Sequence, residues 1–353
     1  MGKKAGSASA MRDRFRGLGR GVAPVILLLV ALSLSGCKIA IGIPGPIASG
    51  KDVDETNTGV PESRSLTTVT SSITVTEAWI ASANHGSRIL QDKSFVSGAK
   101  LIVAVDGFTV RYCKFFGVGG IALDPNDGHT PPGKNVSILD CELDGNHENP
   151  GAEIAVSGSS LTLKRVHIHR WPRGMWIGYG EVWVEQCYMH DLTVDASGGH
   201  LEDIYVAGGP NQTYLSNKLI SNGIRIAGSG LMPISASLAI YNEDPNLGGA
   251  TPPLPSLANI RIEDNYFGSD GYYPLYCGAL SGKPGAFPTD MVVRNNVFGR
   301  DIQRYSGMGG AAVAFDASQP GNLWENNVWG ALGPFNAAGD PAEGTQIPAP
   351  SVM

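Results

Sequence analysis

The chain has 353 residues, of which 42% are hydrophobic and 16% charged, and its 26 basic and 32 acidic residues give a net charge of −6. This composition supports a folded core and excludes a disordered chain or a coiled coil. The acidic balance also excludes a basic nucleic-acid-binding surface, so we expect no nucleic-acid partner.

The first 36 residues predict an export signal. Six basic residues and Asp13 lie in this leader, whose apolar stretch VAPVILLLVALSLSG is short for a membrane span. The stretch ends in Leu34-Ser35-Gly36-Cys37, which resembles the lipobox of bacterial lipoproteins. The resemblance implies cleavage before Cys37, acylation of this residue, and anchoring to the outer face of the bacterial cell membrane. An ordinary signal peptide or an anchor helix is the alternative.

The remaining chain divides into three parts by composition. Residues 37–66 are polar with scattered Gly and Pro, which predicts a flexible tether. Residues 67–338 are rich in short strand-like segments, and residues 339–353 predict a disordered tail. Cleavage would leave 20 basic and 31 acidic residues, a net charge of −11.

A short strand that ends in Cys or Asn recurs through residues 67–338, as in FTVRYCKFFG at 108–117 and MVVRNNVFGR at 291–300. We call the recurring terminal position the ladder. The ladder residues are Cys113, Cys141, Val166, Cys187, Asn217, Asn265, Asn296 and Asn327, at steps of 28, 25, 21, 30, 48, 31 and 31 residues. Irregular steps of this size favour a parallel β-helix of about eight coils, because propeller blades repeat every ~40–45 residues.

Stacking explains why the ladder carries Asn and Cys. Coils of a β-helix lie ~4.8 Å apart, so an Asn can hydrogen-bond to the Asn above and below it. Cys113 and Cys141 would lie on adjacent coils. A disulfide between them and a pair of stacked free thiols both stay open.

A second strand family follows the ladder strands, and its period-two alternation assigns the two faces. The inward residues are predicted to be Ile121/Leu123, Ile154/Val156, Met175/Ile177, Ile204/Val206, Leu238/Ile240, Leu275/Cys277 and Val313/Phe315. The outward column is predicted to be Ala122, Ala155, Trp176, Tyr205, Tyr241, Tyr276 and Ala314.

Four successive aromatic residues in that column predict a binding surface, because an exposed apolar row is costly in water. Sugar rings stack on such faces. We therefore predict polysaccharide binding by Trp176, Tyr205, Tyr241 and Tyr276, assisted by Arg173. Cover by a loop such as residues 228–258 is the alternative.

Candidate catalytic groups cluster in DASGGHLEDIYVAGG at 195–209. An outward Asp203 would stand two coils, or ~9.6 Å, from Glu153, near the spacing of an inverting glycosidase pair. We predict Asp203, Glu202, His200 and Glu153 as acid/base candidates. Turn capping by His200 and Glu202 is the alternative.

Evidence for a metal is weaker. His167 and His169 alternate in HIH and share a face, but no third ligand is evident, so no residue is assigned to a metal. LDPNDGH at 123–129 predicts a turn, with a weak calcium loop as the alternative.

Several segments together carry a family resemblance: HLEDIY at 200–205 followed by Gly208-Gly209, VRNNVFGRDIQRYSG at 293–307, and PGNLWENNVWG at 320–330. They resemble right-handed parallel β-helix proteins of the pectate-lyase-like superfamily, of the surface lipoprotein type common in actinobacteria. The likeness covers roughly residues 68–336 and implies an all-β, single-stranded, right-handed solenoid. It also implies that Glu202 carries the acid of the family, whereas the face assignment favours Asp203. Asp203 and Tyr205 stand where that type has Gly and Gln.

The combined expectation is a surface-anchored β-helix lipoprotein that binds polysaccharide and, if it is an enzyme, cleaves it as a lyase or a hydrolase. A non-catalytic scaffold or adhesive spacer of the cell envelope is the alternative. Partners are a glycan and, through the lipid on Cys37, the membrane; the oligomeric state stays open.

Overall fold

The structure is a computed structural model. It describes residues 49–117, 119–123, 134–146, 154–178, 181–194, 202–225, 236–241, 256–279, 282 and 285–352. These residues form 28 short strands, one α-helix, α1 (Glu77–Ala83), and one 3-10 turn (Gly50–Asp52). No helix in these ranges combines the length and hydropathy needed to cross a membrane.

The strands are short and evenly distributed along the chain. The first fourteen are β1 (Thr67–Val69), β2 (Ile73–Val75), β3 (Ile89–Gln91), β4 (Lys93–Phe95), β5 (Leu101–Val103), β6 (Thr109–Arg111), β7 (Lys114–Phe116), β8 (Ile121–Ala122), β9 (Val136–Leu139), β10 (Glu142–Asp144), β11 (Ile154–Gly158), β12 (Leu161–Lys164), β13 (His167–His169) and β14 (Arg173–Ile177). The others are β15 (Val182–Glu185), β16 (Tyr188–Val194), β17 (Glu202–Val206), β18 (Gln212–Leu215), β19 (Lys218–Arg225), β20 (Ala236–Tyr241), β21 (Ala258–Glu263), β22 (Tyr266–Ser269), β23 (Leu275–Gly278), β24 (Thr289–Arg294), β25 (Val297–Phe298), β26 (Ala312–Val313), β27 (Leu323–Glu325) and β28 (Val328–Trp329).

Every third strand joins the same parallel sheet. Sheet A contains β1, β4 and so on to β28; sheet B contains β2, β5 and so on to β26; sheet C contains β3, β6 and so on to β27. The fold is therefore a three-sided parallel β-helix of about nine to ten coils. The predicted eight coils were too few because β1 and β4 precede Cys113, the first ladder residue.

The predicted ladder is confirmed at the corner between sheets C and A. The residue before each ladder position has left-handed backbone, from Tyr112 (φ 54°) to Asn326 (φ 52°), which turns the chain sharply. Asn265 shows the bonding: its Oδ1 accepts the Asn217 N–H at 2.9 Å, and its Nδ2 donates to the Tyr214 carbonyl at 2.9 Å. The side-chain amides thus satisfy backbone groups that the tight corner leaves unpaired.

The cysteines in the described part of the chain are buried free thiols: Cys113, Cys141, Cys187 and Cys277. Of the two alternatives for Cys113 and Cys141, the structure has stacked thiols. The Cys113 backbone N–H lies 3.5 Å from the Cys141 Sγ, so sulfur occupies the place that Asn Oδ1 takes lower in the ladder.

The interior is a column of apolar side chains. Most of the inward residues predicted for the second strand family, which forms sheet B, are buried in it. Ile154 is an exception because it is only half-buried. Val313 is the other, because it pairs with Tyr276, so it belongs to the outward column. Aromatic rings also stack along the interior of sheet A, as between Phe95 and Phe115, whose centroids lie 4.5 Å apart.

Both described terminal segments lie against the β-helix. Gly50 donates its N–H to the Asp264 carbonyl at 2.8 Å, within the segment whose composition predicts a tether. In the segment whose composition predicts disorder, Ile347 donates its N–H to the Asn327 carbonyl at 2.8 Å. The Ile347 carbonyl accepts a hydrogen bond from Trp324 Nε1, also at 2.8 Å. This segment therefore covers the last coil.

Candidate functional site

The predicted aromatic row is present on the outer side of sheet B. Ring centroids lie 6.4 Å apart between Trp176 and Tyr205, 5.4 Å between Tyr205 and Tyr241, and 5.8 Å between Tyr241 and Tyr276. All four side chains are half-buried. Tyr273 extends the row, because its ring lies 5.5 Å from that of Tyr276.

The register of the row differs from the predicted column. Strand pairing aligns Ala122, Ser157, Trp176, Tyr205, Ala239, Tyr276 and Val313. Tyr241 pairs with Gly278 and so lies two residues further along the same face. Its ring still bridges Tyr205 and Tyr276, so the row is continuous although the predicted positions Ala155, Tyr241 and Ala314 were wrong for this column.

Alternation breaks where the chain enters sheet B, and this break changes the orientation of Asp203. Asp203 was predicted to point outward. Its side chain is instead fully buried and accepts a hydrogen bond from Ser221 Oγ at 3.0 Å, while Ser221 in turn bonds Ser237 Oγ. Asp203 and Ile204 thus both face the interior. The predicted outward orientation of Asp203 is wrong.

Glu202 takes the position beside the aromatic row. One carboxylate oxygen lies 3.6 Å from Nε of the partly exposed Arg173, and the Arg173 guanidinium lies 6.0 Å from the centre of the Tyr205 ring. Burial, then Tyr273 and Glu202, raise the pKa of Tyr276 to about 12, so the carboxyl is within electrostatic range of the row's other end.

The environment of Glu202 favours its neutral form. Its side chain is fully buried, and neither carboxyl oxygen finds a hydrogen-bond partner within the described part of the chain. Burial raises the pKa of Glu202 to about 7, and Arg173 opposes this only in part. Trp176 Nε1 is likewise buried without an acceptor among the described residues. Such a carboxyl can donate a proton near neutral pH.

A second polar cluster, not predicted as a unit, lies on the outer side of sheet A. Strand pairing aligns Asp144, His169 and His190, and beside them Glu142 and His167. Each of the three histidines offers a ring nitrogen, and these atoms all lie within 4.8 Å of one another. Burial, then His169 and His190, lowers the pKa of His167 to about 3. Glu142 pairs with Lys114 at 2.8 Å.

The positions of these residues relative to the ladder predict that they lie together. Glu142 and His167 follow their ladder residues by one position, and Asp144, His169 and His190 follow theirs by three. The HIH pattern indicates only two of the three histidines, because His190 lies in a different segment, YMHD. Counting from the ladder position would have aligned all of them.

Several predicted positions lie outside the described residues: His200, Glu153, Cys37, most of the 123–129 turn and most of the 228–258 loop. Asp203, Glu202, Arg173 and the four aromatics lie within them. Comparison of the chain with models of protein families, with curated proteins and with solved structures finds no match.

Proposed function

We propose that the protein binds a polysaccharide along the outer side of sheet B. The observation that supports this is the continuous row of four aromatic rings next to Arg173 and Glu202. Aromatic faces offer apolar area to sugar C–H groups, while a cation and carboxyl beside them can bind hydroxyl or uronate groups. The row spans four coils, which suits a chain better than a single sugar.

A chemical role for Glu202 extends this proposal. A carboxyl that is protonated near pH 7 and lies beside a bound glycan can protonate a leaving glycosidic oxygen, as a hydrolase requires. In a lyase, Arg173 would neutralise a uronate instead. Because Glu202 has no exposed surface, binding without cleavage is the second candidate, and it corresponds to a scaffold or adhesive protein.

Single substitutions in the row should weaken glycan binding without unfolding the protein. We expect Trp176→Ala and Tyr205→Ala each to weaken binding to the glycan recognised on a panel by about 10- to 100-fold, since buried aromatic anchors dominate such interfaces. Trp183→Ala is the matched control, because Trp183 is 42% exposed on sheet C. Equal binding by all three variants would contradict the proposal.

The same panel separates enzyme from scaffold. Release of reducing ends would identify a hydrolase, and release of unsaturated products would identify a lyase. Retained binding with no product from any glycan would remove catalysis and leave the binding surface. A Glu202→Gln variant that keeps both affinity and product formation would exclude Glu202 as the acid.

We also propose that the chain is a right-handed β-helix of the pectate-lyase-like superfamily, exported and anchored through lipid on Cys37. Right-handed crossovers are strongly preferred between parallel strands of one sheet. We expect Cys37→Ser to move the protein from the membrane fraction to the medium, measured by immunoblotting of both fractions. A membrane-bound Cys37→Ser protein would show that another segment anchors the chain.

A further inference from the structure

Parallel stacking assembles a compact grid of metal-ligating side chains on sheet A. Residues two apart on one strand face the same way, and paired strands lie ~4.8 Å apart. This brings His169 next to His190 on the following coil, and His167 beside both. The ring centroids lie 4.3 Å apart for His167 and His169, and 5.0 Å apart for His167 and His190.

The nitrogens of this grid already converge. Nε2 of His167 lies 2.8 Å from Nε2 of His190. Ligand nitrogens of tetrahedral zinc lie about 3.4 Å apart, given Zn–N bonds of about 2.0–2.1 Å. Small side-chain rotations would widen this distance enough for a metal ion to lie between the two nitrogens. The proton now between them would move to the second ring nitrogen of its imidazole or be lost to solvent. A ring nitrogen of His169 lies within 4.8 Å of ring nitrogens of both other histidines.

A carboxylate supports one of the three histidines, His190. Nδ1 of His190 lies 2.8 Å from a carboxylate oxygen of Asp191, whose other contacts include the Asn222 amide at 2.6 Å. Metal-binding histidines usually donate their second ring N–H to a carboxylate in this way, which fixes the tautomer and directs the other nitrogen to the ion. His190 is therefore oriented for Nε2 ligation.

The cluster is accessible and its surroundings are acidic. It lines a surface pocket of about 520 Å³ together with Glu55, Asp191 and Asp301. Glu142 and Asp144 add two carboxylates, which Lys114 and Arg170 partly neutralise. A divalent cation can thus reach the imidazoles and is favoured electrostatically.

We propose that His167, His169 and His190 form a binding site for a divalent transition metal of the zinc class. Three imidazole ligands favour zinc over calcium or magnesium, which prefer oxygen ligands. The fourth position would take a water molecule. The site lies on sheet A, whereas the proposed glycan surface lies on sheet B, so the two proposals stand independently.

Titration of the full chain with Zn²⁺ tests this proposal. The protein, purified in detergent and stripped with EDTA, should bind one equivalent of Zn²⁺ with micromolar or tighter affinity by calorimetry. Co²⁺ should give visible absorption bands of tetrahedral intensity. We expect His190→Gln and His167→Gln each to weaken Zn²⁺ binding at least 10-fold, and Asp191→Asn to weaken it to a smaller extent.

His85→Asn is the control, because His85 is an exposed histidine outside the cluster and Asn tolerates its left-handed φ of 50°. It should bind Zn²⁺ like the unmodified chain. Absence of stoichiometric binding, or equal affinity in His190→Gln, His167→Gln and His85→Asn, would overturn the proposal. Glycan binding measured in parallel distinguishes failure of this site from failure of the sheet B surface.

Discussion

Asn265→Val should destabilise the β-helix by about 3–5 kcal/mol, because it removes four buried hydrogen bonds at one position. The Asn265 Oδ1 accepts the backbone and side-chain N–H groups of Asn217 at 2.9 and 3.0 Å. Its Nδ2 donates to the Tyr214 carbonyl and to Asn296 Oδ1. Valine fills the space but leaves the Asn217 N–H and the Tyr214 carbonyl unpaired, and each buried orphan group costs about 1–3 kcal/mol.

A matched control lies between the same two coils. Asn259 Nδ2 donates to Asn211 Oδ1 at 2.8 Å across the same 48-residue separation, but this pair is exposed. Asn259→Gly keeps the left-handed φ of 53° accessible and should cost less than about 1 kcal/mol, because water replaces the lost bond. Urea unfolding followed by circular dichroism measures both. Equal losses would show that the ladder does not support the corner.

The coil architecture could be predicted because its determinants are local and repeated. Each ladder residue lies between two short strands, so the coils can be aligned from the sequence alone. The first two coils could not be counted in this way. The corner between β3 and β4 is formed by Asp92, with a φ of 56°, and Lys93 follows it where most later coils have Asn or Cys.

The face of the acids could not be predicted, because strict alternation fails at one corner. Gly174 shows why: a Cβ there would collide with the Asp203 carbonyl and approach Met189 Sδ to 3.3 Å. Gly174 therefore turns toward the interior with Asp203, and the next residue of each strand faces inward too. One such irregularity exchanges the outward and inward faces for the residues that precede it in the strand. Strict alternation assigns Asp203 to the outer face for this reason, although its side chain is buried.

Residues on adjacent coils can be paired from the sequence only when the register between their strands is known. Tyr241 was placed opposite Tyr205, although Ala239 holds that position. The ring of Tyr241 reaches back far enough to keep the row continuous. His190 is the opposite case. Its alignment with His169 follows directly from the ladder, but no motif within its own segment suggests a metal ligand.

Glu202→Gln should stabilise the protein above neutral pH and leave it unchanged at pH 4. Burial raises the pKa of Glu202 from 4.5 to about 7, so between these values the folded protein holds a proton that the unfolded chain has lost. The stability of the unmodified protein therefore falls as pH rises from about 4.5 to about 7 and then levels off. At about 1.4 kcal/mol per pKa unit, the loss reaches about 3 kcal/mol.

Glutamine does not ionise, so this contribution is absent from the variant, and the difference between the two unfolding free energies should grow across the same pH window. Urea unfolding at pH 4, 6 and 8 measures it, with the exposed Glu325→Gln as control. Parallel stability curves for Glu202→Gln and the unmodified protein would contradict the raised pKa. A carboxyl that destabilises the fold at pH 8 does not support the coil at that pH, so Glu202 contributes to stability only in its protonated form.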